Sequence, residues 1–139
     1  MNKFTRLNDY IEEIKRRPFT WGTHDCLVFT NTAFTKMYGK GYADDWVGIY
    51  YDNGRNVPIK ELKKRFDYSN LKDAISDRLP EKKIPAIGDL VLTKKSAAHV
   101  WYIGAALGIC LGNRAAFVGT HRLEFLHLDE IDYVWGNNE

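Results

Sequence analysis

With 139 residues, 45% of them hydrophobic and 27% charged, the chain has enough material for one compact domain whose core needs neither disulfides nor a structural metal. The balance of 20 basic against 18 acidic residues, a formal charge of +2, excludes a nucleic-acid or anionic-membrane partner recruited by net charge alone. Cys26 and Cys110 are the only cysteines, so no disulfide framework is implied and a reducing compartment fits.

The stretch from Lys3 to Arg17 is charged and lacks the apolar centre of a secretory signal. No apolar run is long enough to span a bilayer. The expectation is a protein made in the cytoplasm that leaves a cell only by lysis or inside a larger particle.

In chain order, Phe4, Leu7, Ile11 and Ile14 recur at helical spacing and predict a first amphipathic helix from about Lys3 to Arg16, ended by Pro18. Phe19 to Gly22 form an extended approach. Asp25 is suited to cap a second helix whose first residue is Cys26, with Cys26, Phe29, Ala33 and Met37 on one face and Gly39 and Gly41 at its exit. Tyr42 to Asn56, rich in aromatic and turn residues, reads as a loop over that helix. Pro58 starts a short third helix and Ser69 caps a fourth carrying Leu71, Ile75 and Leu79, while Pro80 and Pro85 mark a linker.

From Gly88 onward the pattern is that of strands: Asp89–Thr93, Leu107–Leu111, Ala115–Val118, Arg122–Leu126 and Tyr133–Trp135, with Gly112-Asn113-Arg114 as a turn. The fold class is α+β, a single domain with a helical half over about 1–80 and an antiparallel strand-rich half over about 86–136.

The stretch Trp21-Gly22-Thr23-His24-Asp25-Cys26 carries the chemistry. A cysteine at a helix N-terminus meets the positive end of the helix dipole and unpaired amides, both of which favour thiolate. The adjacent Asp25 opposes ionisation unless its carboxylate is turned away to cap the helix. A nucleophilic cysteine further needs an imidazole within reach and a polar group to orient it. The candidates are His24, His99, His121 and His127. His24 is a weak placement, and His127 reads as a surface strand residue. Against catalysis, Cys26 shares a face with Phe29 and Ala33, as an inert core thiol does, and Cys110 lies among apolar strand residues. Trp21 reads as a packing anchor. Zinc-ligand pair spacing is missing, so no metal or other cofactor is expected.

Pro18 to Phe29 (PFTWGTHDCLVF), Gly88 to Leu92 (GDLVL) and Ala106 to Gly112 (ALGICLG) resemble the NlpC-like papain superfamily of bacterial cell-wall peptidases. They are most similar to a branch found among bacteriophage and prophage tail-region proteins. The resemblance spans the chain from the first helix to Trp135. It implies a papain-like fold and gives Cys26 the role of nucleophile, with Gly88 and Asp89 structural. The superfamily's general-base histidine opens the next strand in a motif like HVGIYLG, where this chain reads Ala106; its orienting polar residue falls near Val118, ahead of Thr120 and His121. An alternative register sets His99-Val100 against the family's His-Val. A dyad of Cys26 with His99 or His121 stays open.

These residues set out two expectations. One is a virion protein associated with a tail, structural or assembly in role, with a degenerate active site and contacts to other virion or tail proteins through the loop around Trp46 and Tyr50. The other is an active cysteine amidase or endopeptidase that cuts peptidoglycan stem peptides. Neither involves nucleic acid or membrane insertion.

Overall fold

The computed structural model describes residues 2–20, 22–47, 49, 51–52, 55–56, 61, 64–65, 71–94 and 106–137. Helix α1 spans Lys3–Ile14, opened by Asn2, whose Oδ1 accepts from Thr5 N–H at 2.9 Å. Helix α2 spans Cys26–Tyr38 and ends at Gly39, whose φ of 85° is the left-handed exit that a residue without Cβ adopts freely. Two short strands follow, β1 at Tyr51–Asp52 and β2 at Arg55–Asn56, then helix α3 at Leu71–Ser76.

The second half contributes β3 at Glu81–Lys82, β4 at Leu90–Thr93, β5 at Ala106–Cys110, β6 at Arg114–Val118, β7 at Leu123–His127 and β8 at Tyr133–Trp135. These six form one sheet in the order β3-β8-β4-β5-β6-β7, and every neighbouring pair is antiparallel.

Period-two alternation sorts the strand residues onto two faces. Leu90, Leu92, Leu107, Ile109, Ala116, Val118, Leu123 and Trp135 join the core built with the helices. Val91, Ala106, Cys110, Ala115, Phe117, Leu126 and Val134 form a second cluster, against which Leu128 and Ile131 pack. Helix α2 lies against β5 and β6, and α1 lies against α2. The α1–α2 pair is pinned by Arg6, which donates from Nε to Lys36 O (2.7 Å) and from Nη2 to Met37 O (2.8 Å), satisfying carbonyls in the last turn of α2.

The α+β expectation holds, and the strand positions differ by a residue or so at their ends. Several details differ for physical reasons. Phe4, assigned to the apolar stripe of α1, is 44% exposed, and Tyr10 takes a core place beside Leu7, Ile11 and Ile14. The aromatic stretch after α2 includes the β1–β2 hairpin, which alternation could not reveal in strands of two residues. The Pro80–Pro85 linker contains β3, and β3 exists because β8 offers it an edge. Leu79 is buried but lies beyond the end of α3. The strands are not a simple meander: β4 to β7 run in order, and β8 returns to the far side of β4. Pro58, Ser69 and Trp21 lie outside the described residues, while Glu61, Lys64 and Arg65 are helical.

Gly41 was expected to supply a second left-handed exit; Gly39 alone does so, and Gly41 is required for space. A Cβ there would collide with the Asn31 and Asp44 side chains, which bridge the loop: Asn31 Nδ2 donates to Asp44 Oδ1 (2.7 Å) and Asn31 Oδ1 accepts from Ala43 N–H (2.8 Å). Gly41→Ala should therefore destabilise the fold by about 1–3 kcal/mol through overpacking, read from the shift in a chemical denaturation midpoint.

Candidate functional site

The site is built on the turn between α1 and α2. After α1 the chain is tied to the β6–β7 hairpin: Leu123 N–H donates to Lys15 O (2.9 Å) and Phe19 N–H to Thr120 O (3.2 Å). It then folds back through a tight turn in which Thr20 and His24 exchange backbone hydrogen bonds, Thr20 N–H to His24 O at 3.0 Å and His24 N–H to Thr20 O at 2.8 Å. Gly22 occupies the left-handed region of that turn at φ 78°.

Asp25 closes the turn and opens the helix at once. Its Oδ2 accepts from Gly22 N–H (2.8 Å) and its Oδ1 from Val28 N–H (2.9 Å). The carboxylate is fully buried, so amide donors stand where water would otherwise be. This is the N-cap that the sequence predicted, with Cys26 as the first helical residue.

Cys26 is 1% exposed and sits in the helix-side core. Backbone amides of Leu107 on β5 and of Cys26 and Leu27 face its sulfur and favour the thiolate; burial and the neighbouring Asp25 charge oppose it and prevail, so the thiol is pushed well above its ordinary range. Of the two readings of Cys26, the inert core thiol fits this balance: the helix start does offer amides, but desolvation outweighs them. Behind the first turn, Thr30 Oγ1 donates to Cys26 O (2.8 Å), and its hydroxyl lies 2.7 Å from that of the buried Tyr42.

The histidines are placed as follows. Among the described residues, no hydrogen bond joins the Cys26 thiol to an imidazole. His24 is buried, with its ring edge-on to Phe29, which in turn stacks on Tyr10 of α1. His121 lies exposed in the turn between β6 and β7, the turn whose Thr120 carbonyl holds Phe19, so it neighbours the approach to the site. His127 is exposed at the end of β7. His99 lies outside the described residues.

Ala106, which the preferred register of the resemblance sets against the superfamily's histidine, is fully buried in the far-side cluster, while Cys26 belongs to the helix-side core; Val118 is buried and apolar on the helix side. Cys110 is a core residue as expected. Among the described residues, no group of three His, Cys, Asp or Glu side chains could hold a metal ion, and no helix is long and apolar enough to cross a membrane.

Asp89 plays the structural part assigned to it. Its Oδ2 accepts from Lys82 Nζ (2.6 Å) and from Ala86 N–H (2.8 Å), which locks the start of β4 against β3. Trp46 lies in the loop expected to meet other virion or tail proteins. It is only 4% exposed, beneath the Arg78 guanidinium at 3.9 Å from its ring centroid, and Arg78 forms a two-point pair with Asp45 at 2.6 and 2.7 Å. Tyr50 lies outside the described residues.

Asp25→Ala removes the partner of two amides at the junction of turn and helix. It should cost about 1–2 kcal/mol, with Asp25→Asn recovering part of the loss, both measured by denaturant unfolding.

Among solved structures, the chain is similar to the crystal structure of the NlpC/p60 domain of the peptidoglycan hydrolase SagA, with a TM-score of 0.56 and 13% identity over 98% of this chain and 99% of that one. The α+β papain-like, NlpC-type fold is thereby shown. No curated protein matches the chain. The family model described as a domain of unknown function (DUF6950) matches residues 2–137, and the chain belongs to that family.

Proposed function

We propose that this chain is a non-catalytic domain of NlpC/p60 type that serves as a structural or assembly component of a bacteriophage or prophage tail, made in the host cytoplasm and carried in the virion. One observation carries the loss of catalysis. The Cys26 thiol is enclosed in the core, held in its neutral form, and bonded to no imidazole among the described residues. Ala106 and Val118, both buried and apolar, occupy the positions where the superfamily has its base and its orienting group, which fits the same reading. Without a positioned general base, acyl transfer loses roughly a hundredfold to ten-thousandfold in rate.

The tail assignment rests on the resemblance of Pro18–Phe29 and of the Gly88–Leu92 and Ala106–Gly112 stretches to tail-region proteins. Its partners are then other virion or tail proteins, met through the loop around Trp46 and Tyr50, in which Trp46 itself is buried.

A second reading is favoured by a specific feature of the site. Three backbone amides, those of Cys26, Leu27 and Leu107, converge on the sulfur, and groups of that kind stabilise developing negative charge. On that reading the domain is a cysteine amidase or endopeptidase acting on peptidoglycan stem peptides, with Cys26 as nucleophile and His99 or His121 as base.

Alkylation separates the two. With Cys110→Ser removing the other thiol, iodoacetamide near pH 7.5 should modify Cys26 in the folded protein on the order of a hundredfold more slowly than in the unfolded chain. Rapid labelling of folded protein that is abolished in a His99→Ala or His121→Ala variant would establish the enzyme reading instead. For the location, mass spectrometry of purified particles from an induced lysogen carrying the gene should find the protein at a fixed copy number per particle. Its recovery only in the soluble lysate would contradict the tail role.

A further inference from the structure

His24 is a member of the motif that neither reading uses, and its surroundings are unusual. The residue is 2% exposed, and among the described residues its buried Nε2 has no hydrogen-bond partner. A buried unpaired polar atom is a standing cost to the fold, tolerable only while the ring is neutral and able to leave one nitrogen as a bare lone pair. Protonation would place an N–H and a positive charge at that buried nitrogen, which has no acceptor among the described residues.

Among the described residues, the groups around the ring do not compensate. The side facing α2 presents the Phe29 ring, set roughly perpendicular to the imidazole. Beyond Phe29 lies Tyr10 of α1, whose phenol stays neutral because burial raises it to about 12. Arg17, at the exit of α1, contributes a second positive charge that disfavours a cation on His24. Asp25 and Cys26 follow in sequence, but the Asp25 carboxylate is directed to the Gly22 and Val28 amides and the Cys26 thiol to the core beside β5. On the hairpin side, the Thr120 carbonyl is taken by Phe19 N–H, and His121 is exposed.

We propose that His24 is an acid-operated latch: the Thr20–His24 turn stays closed over the start of α2 while the imidazole is neutral, and its protonation springs the turn and releases the Asp25 cap.

The mechanical link is short. His24 supplies two of the three backbone hydrogen bonds that close the turn on Thr20, Thr23 N–H supplying the third, and the Gly22 amide inside the turn is one of the two donors that hold Asp25. When the ring leaves its pocket to reach water, the backbone pair to Thr20 and the Gly22–Asp25 bond are strained together. The helix start, with Cys26, is then exposed.

The direction of the pH effect follows from proton linkage. Burial, aided by Arg17, lowers His24 from 6.5 to about 4 in the closed state, while an opened, solvated ring titrates near its ordinary value. The closed turn keeps its full stability above about pH 6.5 and loses it progressively as the pH falls towards about 4, because the open state takes up the proton first. The latch works whether or not Cys26 is ever a nucleophile, so its failure and the failure of the tail reading are distinguishable.

Hydrogen exchange read by mass spectrometry tests it on the full chain. After correction for intrinsic exchange, the opening constant of the segment spanning residues 20–29 should rise on the order of fiftyfold between about pH 7.5 and pH 4.5. The segment spanning residues 106–118 should change far less. His24→Gln and His24→Leu should each flatten the response of residues 20–29. An unchanged response in both variants, or simultaneous opening of both segments in the wild type, overturns the latch. Should both variants fold poorly, the wild-type protein still decides the matter. Its His24 ring resonance should titrate with a midpoint near 4, and a midpoint at or above 6.5 refutes the proposal.

Discussion

The buried carboxylate of Asp25 is the constraint on which the rest of this structure depends. One oxygen holds the turn through Gly22 and the other starts α2 through Val28. Because the helix begins at that point, Cys26 faces the core and the β5 backbone, and Phe29, Ala33 and Met37 follow it into the same apolar interior. The same carboxylate works against thiolate formation at the next residue. A single side chain thus sets the frame and limits the chemistry: what anchors the helix adds its charge to the burial that keeps the thiol neutral.

The second organising feature is the sheet, whose two faces are both covered. The helix-side core and the far-side cluster alternate residue by residue along β4, β5 and β6. Gly108 shows how closely the strands fit. A Cβ there would press into the Ala116 carbonyl and the Phe117 ring, so this glycine reflects backbone and aromatic packing on the far side of the sheet. Ala106 and Cys110 share that side, which is why neither participates at the start of α2. A fold held in common with a hydrolase domain at 13% identity fixes the layout of elements, and chemistry has to be argued from the side chains this chain places in it.

Much of this was legible in the sequence, for reasons that differ by element. The cap at Asp25, the first helical position of Cys26 and the exit at Gly39 are local events, each decided by a few adjacent residues, and they were readable as such. The strands from β4 to β8 declared themselves through runs of apolar residues and the turn at Gly112. The return of β8 to β4, and with it the pairing of β3, could not be read, because long-range pairing leaves no local mark. Phe4 fitted the helical period yet is exposed, and Tyr10, partly polar, took a core place by stacking on Phe29.

At the site, residue identity was readable and electrostatic state was not. The state of Cys26 depends on burial and on contacts supplied by β5, eighty residues away in sequence, and the state of His24 depends on burial beside Phe29 and on Arg17. His24 was weighed as a weak partner for the thiol, and nothing in its neighbours signalled an unpaired nitrogen in the core. The measurement that tests the central claim most directly is the ultraviolet absorbance of the Cys26 thiolate in Cys110→Ser protein, followed as the pH is raised. The account predicts no thiolate step below the ordinary thiol value of 9.0 while the fold is intact. A step in the neutral range would contradict it and show an activated cysteine at the start of α2.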